Sequence, residues 1–218
     1  MTRLGVLLAF AAAAPSAALG ATCTVPGHEA PARVEVSSSI AQPVYRRGLS
    51  RHELSRQADL SGNRDAELGR ARSDTTVTVS PQVWLLPLGK GRNCMTVDVV
   101  DIQWRIDAAA VDIASDYPPE SCPYRAIKDH EDQHVRLTRQ AFEDYLPKMR
   151  EAAAAAARDL APTVTAADGE AAAQEVVDRV TLRLQPVLDA YQHEAHRLNA
   201  AIDTRESYAE VHRRCDTW

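Results

Sequence analysis

Pro123-Tyr124-Arg125-Ala126-Ile127-Lys128-Asp129-His130-Glu131-Asp132-Gln133-His134 opens the stretch that decides how this chain is built. Pro123 suits a first helical position, where its missing N–H costs nothing. The chain from Tyr124 through the six alanines Ala152 to Ala157 is rich in alanine and charge. It predicts one long helix that stops near Ala161-Pro162, with Pro147 as a place for a kink. The alanines carry no chemistry; they supply helix propensity and allow close helix packing. His130 and His134 are four residues apart, so on that helix they stand one above the other on one face. Two imidazoles placed in this way reach one metal ion. Glu131 then lies beside the water that such an ion activates, where a carboxylate serves as general base. Zinc suits the site, because imidazole is among its preferred ligands and a hydrolytic site keeps one position open. The plain alternative is a solvated helix face carrying two of the chain's seven His.

Beyond Pro162, Thr165 and Asp168 predict a capping box for a second helix. That helix carries the apolar stripe Val177, Val180, Leu184, Val187, Tyr191, Leu198 and Ile202, in steps of three, four or seven. Pro186 marks a second place for a bend. The connection between the two helices is short, so they form an antiparallel hairpin. Helices of equal rise meet at levels symmetric about the turn, which centres near Thr163. The segment Glu131 to Gln133 lies about 31 residues before that turn, so the facing level falls near Glu194. Glu194 also sits on the stripe, three residues after Tyr191 and four before Leu198. A carboxylate there is costly unless it is paired or bound to a metal. Glu194 is therefore the expected third ligand, completing a two-His-one-Glu zinc site. His193 and His196 share the level but point away from the stripe. Asp203 and Glu206 lie two to three turns further on. A solvated polar face is the plain alternative for His193, Glu194 and His196, and for Arg136, Arg139 and Arg205.

The first half of the chain reads differently. Ala32 to Val36, Thr75 to Leu86 and Cys94 to Ile106 are β-branched, aromatic and partly alternating, which predicts strands. The last two form a hairpin around Gly89 to Asn93. Ser50 to Ala58 predicts a short helix, and Gly62-Asn63 a loop. There is no internal repeat. The expected fold class is α+β: a small antiparallel sheet over residues 30–110, followed by a long helical hairpin over residues 123–214. Residues 21–218 then make one domain.

Met1 to Gly20 has one Arg near its start, an apolar run Leu4 to Ala14, and small residues up to Ala21. This predicts a secretory signal peptide cleaved after Gly20 or Ala21. Thr22 precedes Cys23, where a lipoprotein leader has Gly or Ala. No later segment is apolar for long enough to span a bilayer. The expected location is periplasmic or secreted. Four Cys in an exported chain predict two disulfides. Antiparallel helices bring Cys122 and Cys215 to one side, and Cys23 and Cys94 then pair by elimination. No C-x-x-C occurs, which excludes a zinc ribbon and a thioredoxin-like redox site. The formal net charge is −5 with Arg scattered, so the chain carries no nucleic-acid surface.

The exported leader, the strand-rich first half and His130-Glu131-Asp132-Gln133-His134 together resemble the DUF922 family of secreted bacterial zinc-dependent proteases. Leu198 to Tyr208, with Cys215, adds to the likeness. The family carries an Asp-centred motif followed by His-Gly; Asp203 matches the Asp, while Tyr208-Ala209 stand where His-Gly falls. The resemblance covers residues 30 to 215. It implies a gluzincin-like peptidase and points to Asp203, in place of Glu194, as third ligand. The residues leave two functions open. One is an exported zinc metallopeptidase acting on a peptide or protein substrate, with Glu131 as general base and Tyr208 or His212 near the oxyanion. The other is a non-catalytic envelope protein whose helical hairpin binds a partner or stores metal.

Overall fold

Two long strands form the spine of the molecule: β3 (Gly69–Gly89) and β4 (Arg92–Ile113), paired antiparallel along their whole length. The computed structural model of the chain describes residues 23–60 and 68–218. The leader Met1 to Gly20 and the Gly62-Asn63 loop lie outside the described residues. The turn between β3 and β4 is the two-residue loop Lys90-Gly91, with Gly89 facing Arg92. Both loop residues have positive φ, 54° and 68°, the twist that a tight hairpin requires. Register shifts at Asp74/Thr75, Gln82/Val83 and Pro87/Gly89 relieve and twist this long ribbon.

The other side of β4 takes three short strands in line. β5 (Thr163–Thr165) pairs antiparallel at Asn93 to Met95. β1 (Arg33–Ile40) pairs parallel at Val99 to Ile106, and β2 (Pro43–Arg46) pairs parallel at Ala109 to Asp112. The sheet is therefore mixed, and the expected antiparallel sheet is wrong. Parallel pairing needs a long crossover. The chain supplies one, through α1 (Arg51–Leu60) and the whole of β3, before β4 returns alongside β1. Among the described residues β3 has a strand on one side only, so it is an edge.

Two long helices cover one face. α2 (Cys122–Arg158) starts at Ser121, whose hydroxyl accepts from the Tyr124 N–H, with Pro123 in the first turn. α3 (Gly169–Ala200) starts at Asp168, whose carboxylate accepts from the Ala171 N–H. Asp168 is thus the cap itself, and Thr165, the expected cap, is spent in β5. A short α4 (Arg205–Arg213) comes last, capped by Thr204. Helix does not run on to residue 214 without interruption: the chain turns between Ala201 and Thr204. Among the described residues no helix is long and apolar enough to cross a membrane.

The core lies between α2, α3 and β4. Trp104 is fully buried, 4.2 Å from the Phe142 ring and 5.1 Å from Tyr191. Met149, Val180 and Leu184 close around them. A smaller cluster of Leu54, Leu68, Val111, Ile113, Ile127 and Val135 sits under the first turns of α2. Its burial anchors the helix face that carries the His pair. Disulfides Cys23–Cys94 and Cys122–Cys215 are both present, paired as expected.

Candidate metal centre

Ile127, His130, Glu131 and Val135 are the inward positions of α2 just after its first two turns, spaced by three and four. His130 and Glu131 are each 4% exposed, although a buried polar side chain without a partner is costly. The partners of His130 are His134 on the same helix and Asp203 in the chain reversal after α3. Ile202 and Asp203 donate their N–H groups to the carbonyls of Asn199 and Ala200, tightening the helix end. Thr204 then opens α4. The reversal drops the Asp203 carboxylate over the His pair.

Three ligand atoms converge there. His130 Nε2 lies 3.3 Å from His134 Nε2 and 3.4 Å from Asp203 Oδ1, and His134 Nε2 lies 3.1 Å from the same oxygen. Bonds of about 2.0–2.1 Å at tetrahedral angles place neighbouring ligand atoms about 3.3 Å apart, so the triangle has the size of one face of a zinc tetrahedron. The two-nitrogen, one-oxygen donor set also suits that metal. Two unprotonated imidazole nitrogens facing each other at this distance repel, which a shared cation removes. The residues present therefore fit a metal ion.

The next shell orients these ligands. Asn199 Oδ1 lies 2.8 Å from His134 Nδ1 and accepts its proton, which leaves the Nε2 lone pair facing Asp203 and His130. Asn199 is itself fixed, since its amide donates to Thr138 Oγ1 and to the Ala195 carbonyl. The Tyr208 hydroxyl donates to Asp203 Oδ1 at 3.0 Å, and its ring lies 5.3 Å from that of His130. Burial alone would raise the Asp203 pKa. Where the two rings carry protons on Nε2 in place of a metal, hydrogen bonds from His130, His134 and Tyr208, with the charge of His134, outweigh it and hold the carboxyl well below the usual range. At His134 burial pulls the other way, but the hydrogen bond and charge of Asp203, with Glu131 and Asn199, leave its pKa raised. The carboxylate is ionised and the imidazole is a good base, as ligands need to be.

The centre opens into a cavity of about 180 Å³ walled by β3 on one side and by α2, Asn199, Asp203 and Tyr208 on the other. Gly69, the first residue of β3, lies flat against Glu131. A Cβ there would stand 2.6 Å from Ile127 Cγ2 and 2.8 Å from Glu131 Oε1. Only glycine lets the strand come this close.

Of the residues singled out from the sequence, His130, Glu131, His134, Asp203 and Tyr208 are brought together. Glu194 is not. It lies on the flank of α3, where both its oxygens accept from Arg197 at 2.7 Å. The hydrogen bond and charge of Arg197 lower its pKa despite the opposing effect of burial. The levels are offset because β5 lengthens the turn. His134 faces Asn199, so the hairpin's midpoint falls between residues 166 and 167 rather than at Thr163. Shifting the midpoint by three to four residues shifts the facing level by about seven, or two turns. His212 packs at a tilt against Trp218, ring centres 4.3 Å apart, near the end of the chain. His193, Arg136, Arg205 and Glu206 are exposed, whereas Arg139 donates to the Ala41 carbonyl and ties α2 to the β1–β2 link. Sequence reasoning missed Asn199 and Gly69. Asn199 carried a signal: it is a polar residue one turn after Ala195 on the inward side of α3, and such a residue needs a partner. Gly69 carried none. No family model, no curated protein and no solved structure matches this chain.

Proposed function

We propose that this chain is an exported zinc-dependent peptidase. The observation that carries this reading is the convergence of His130, His134 and Asp203 on one point, with Glu131 on the adjoining helix position, in a cavity walled by an edge strand. The two disulfides support an oxidising compartment. Zinc, when bound, would polarise the scissile carbonyl and acidify a water. The chain's own residues do the rest. His130 and His134 present Nε2, and Asn199 holds the second ring in that tautomer. Glu131 takes the proton of the attacking water and returns it to the leaving amine. Gly69 leaves room for its carboxylate, since a Cβ there would stand 2.8 Å from Glu131 Oε1. Tyr208, now on Asp203, is the hydroxyl placed to turn toward the oxyanion.

Glu131→Gln tests this reading. An amide cannot accept the proton, so hydrolysis of a mixed peptide library should fall by about 10²- to 10⁴-fold while zinc content stays near one per chain. Equal cleavage by the wild type and Glu131→Gln proteins would sink the mechanism. Zinc bound by a wild-type protein that cleaves no peptide would leave a metal-binding envelope protein instead.

A further inference from the structure

A second cavity, of about 350 Å³, continues the first along β3. The two share Ser73 of β3, Thr138 of α2 and Asn199 of α3. Together they make one groove, running beside β3 from Gly69 to Thr75. Two features of that groove point to its occupant.

The first is the strand edge. β4 occupies one side of β3, and no strand pairs with the other among the described residues. No hydrogen bond from another described residue outside the β3–β4 ladder reaches the main chain of residues 70–75. An edge with unspent N–H and C=O groups pairs readily with an extended chain. Here that edge borders the metal centre.

The second is the lining of the far cavity. Ser73, Thr75, Thr138, Gln192, Asn199 and His196 supply hydroxyls, amides and an imidazole, Tyr191 and Ala195 add apolar surface between them, and no Asp, Glu, Lys or Arg is among the lining residues. Thr138 and Asn199 are bonded to each other, and Thr75 lies 3.4 Å from the Tyr191 hydroxyl. The side chains of Ser73, Gln192 and His196 make no hydrogen bond to another described residue. A charged side chain placed there would meet no counter-ion, and a purely apolar one would cover the polar groups without pairing them, whereas a short polar side chain can pair with them while its carbons rest on Tyr191 and Ala195. Thr138 lies one helical turn beyond His134, about 6 Å along α2. An extended chain covers that in about two residues.

We infer that this groove receives an extended polypeptide paired with the edge of β3 at residues 70–75. Its second cavity takes an uncharged hydrogen-bonding side chain, Ser, Thr, Asn or Gln, two to three residues from the cleaved bond. This rests on the peptidase reading above and names the substrate class for the same centre.

The zinc-loaded protein, incubated with a library of random peptides, gives a cleavage profile by mass spectrometry. Ser, Thr, Asn or Gln should be enriched at one fixed offset from the cut. Gln192→Glu should bind zinc as the wild type does but move the preference at that offset toward Lys and Arg, by about three- to tenfold in kcat/KM. Independently, a peptide selected from the profile and bound to the Glu131→Gln protein should slow hydrogen exchange at residues 70–75. Cleavage with no preference at any offset, unmoved by Gln192→Glu, would overturn this inference and leave the peptidase standing. So would a bound peptide that leaves exchange at residues 70–75 unchanged. A wild-type protein that cleaves nothing would overturn both.

Discussion

Asp203 and Glu194 are carboxylates on the same stretch of chain with opposite surroundings. Asp203 gathers His130, His134 and Tyr208 on its Oδ1, while Glu194 spends both oxygens on Arg197. Zinc affinity, measured by titration against a chelator, should therefore rank three variants. Asp203→Ala removes one of three ligands and should cause the largest loss. Asn199→Ala frees the His134 ring without removing a ligand and should weaken binding by about 10- to 100-fold. Glu194→Ala breaks an exposed pair and should change affinity by less than about twofold. A larger loss in Glu194→Ala than in Asp203→Ala would show that the ligand set is wrong. At this scale the sequence was informative wherever the chemistry is local. The i, i+4 spacing of His130 and His134 needs only a helix to have meaning. Asp203 depends on a chain reversal that no residue type announces, and so only a resemblance pointed to it.

Elements are legible in their pattern but not in how they are arranged. Alternation in Ala32 to Val36 marks a strand, yet it is the same for a parallel and an antiparallel neighbour, and β1 proves parallel to β4. The hairpin of α2 and α3 was readable from its stripe. Its register was not, because the three residues of β5 sit inside what reads as a turn. The contact between β3 and α2 makes a test at this scale. Gly69 allows the strand to lie against Ile127 and Glu131, where a Cβ would meet side-chain atoms at 2.6–2.9 Å. Gly69→Ala forces the strand and helix apart and should cost about 1–3 kcal/mol of stability. It should also lower kcat by tilting Glu131, while zinc affinity, set by His130, His134 and Asp203, none of which is among the atoms nearest the added Cβ, stays nearly unchanged. Thermal denaturation, zinc titration and peptide turnover on the one variant check this. Full turnover with wild-type Tm would mean that the strand does not press on the general base.

Across the whole molecule, the two disulfides hold different parts of one machine. Cys122–Cys215 joins the first residue of α2 to the chain just after α4, and so closes a loop that contains His130, His134, Asp203 and Tyr208. Val211 and Cys215 pack on Ala126 in a small cluster that anchors α4, beside the contacts of Tyr208 with Asp203 and His130. Cys23–Cys94 ties the first described residues to β4, beside β5 and away from the metal centre. Each bridge closes a long loop, of 71 and 93 residues, so removing either should lower stability by about 2–5 kcal/mol. Their effects on zinc should differ. Without Cys122–Cys215 the segment carrying Asp203 and Tyr208 keeps only its hydrogen bonds to the end of α3 and to the His pair and the packing of α4, and the ordering it loses must be made up on binding. A Cys122→Ser/Cys215→Ser protein should therefore bind zinc at least about tenfold more weakly, which corresponds to roughly 1.4 kcal/mol of reordering. A Cys23→Ser/Cys94→Ser protein should lose Tm to a similar degree yet keep its zinc affinity. Chelator titration of both folded variants, at a temperature below either transition, separates the two roles. Equal zinc affinity in the two would mean that the metal centre stands on the α2–α3 hairpin without help from the bridge.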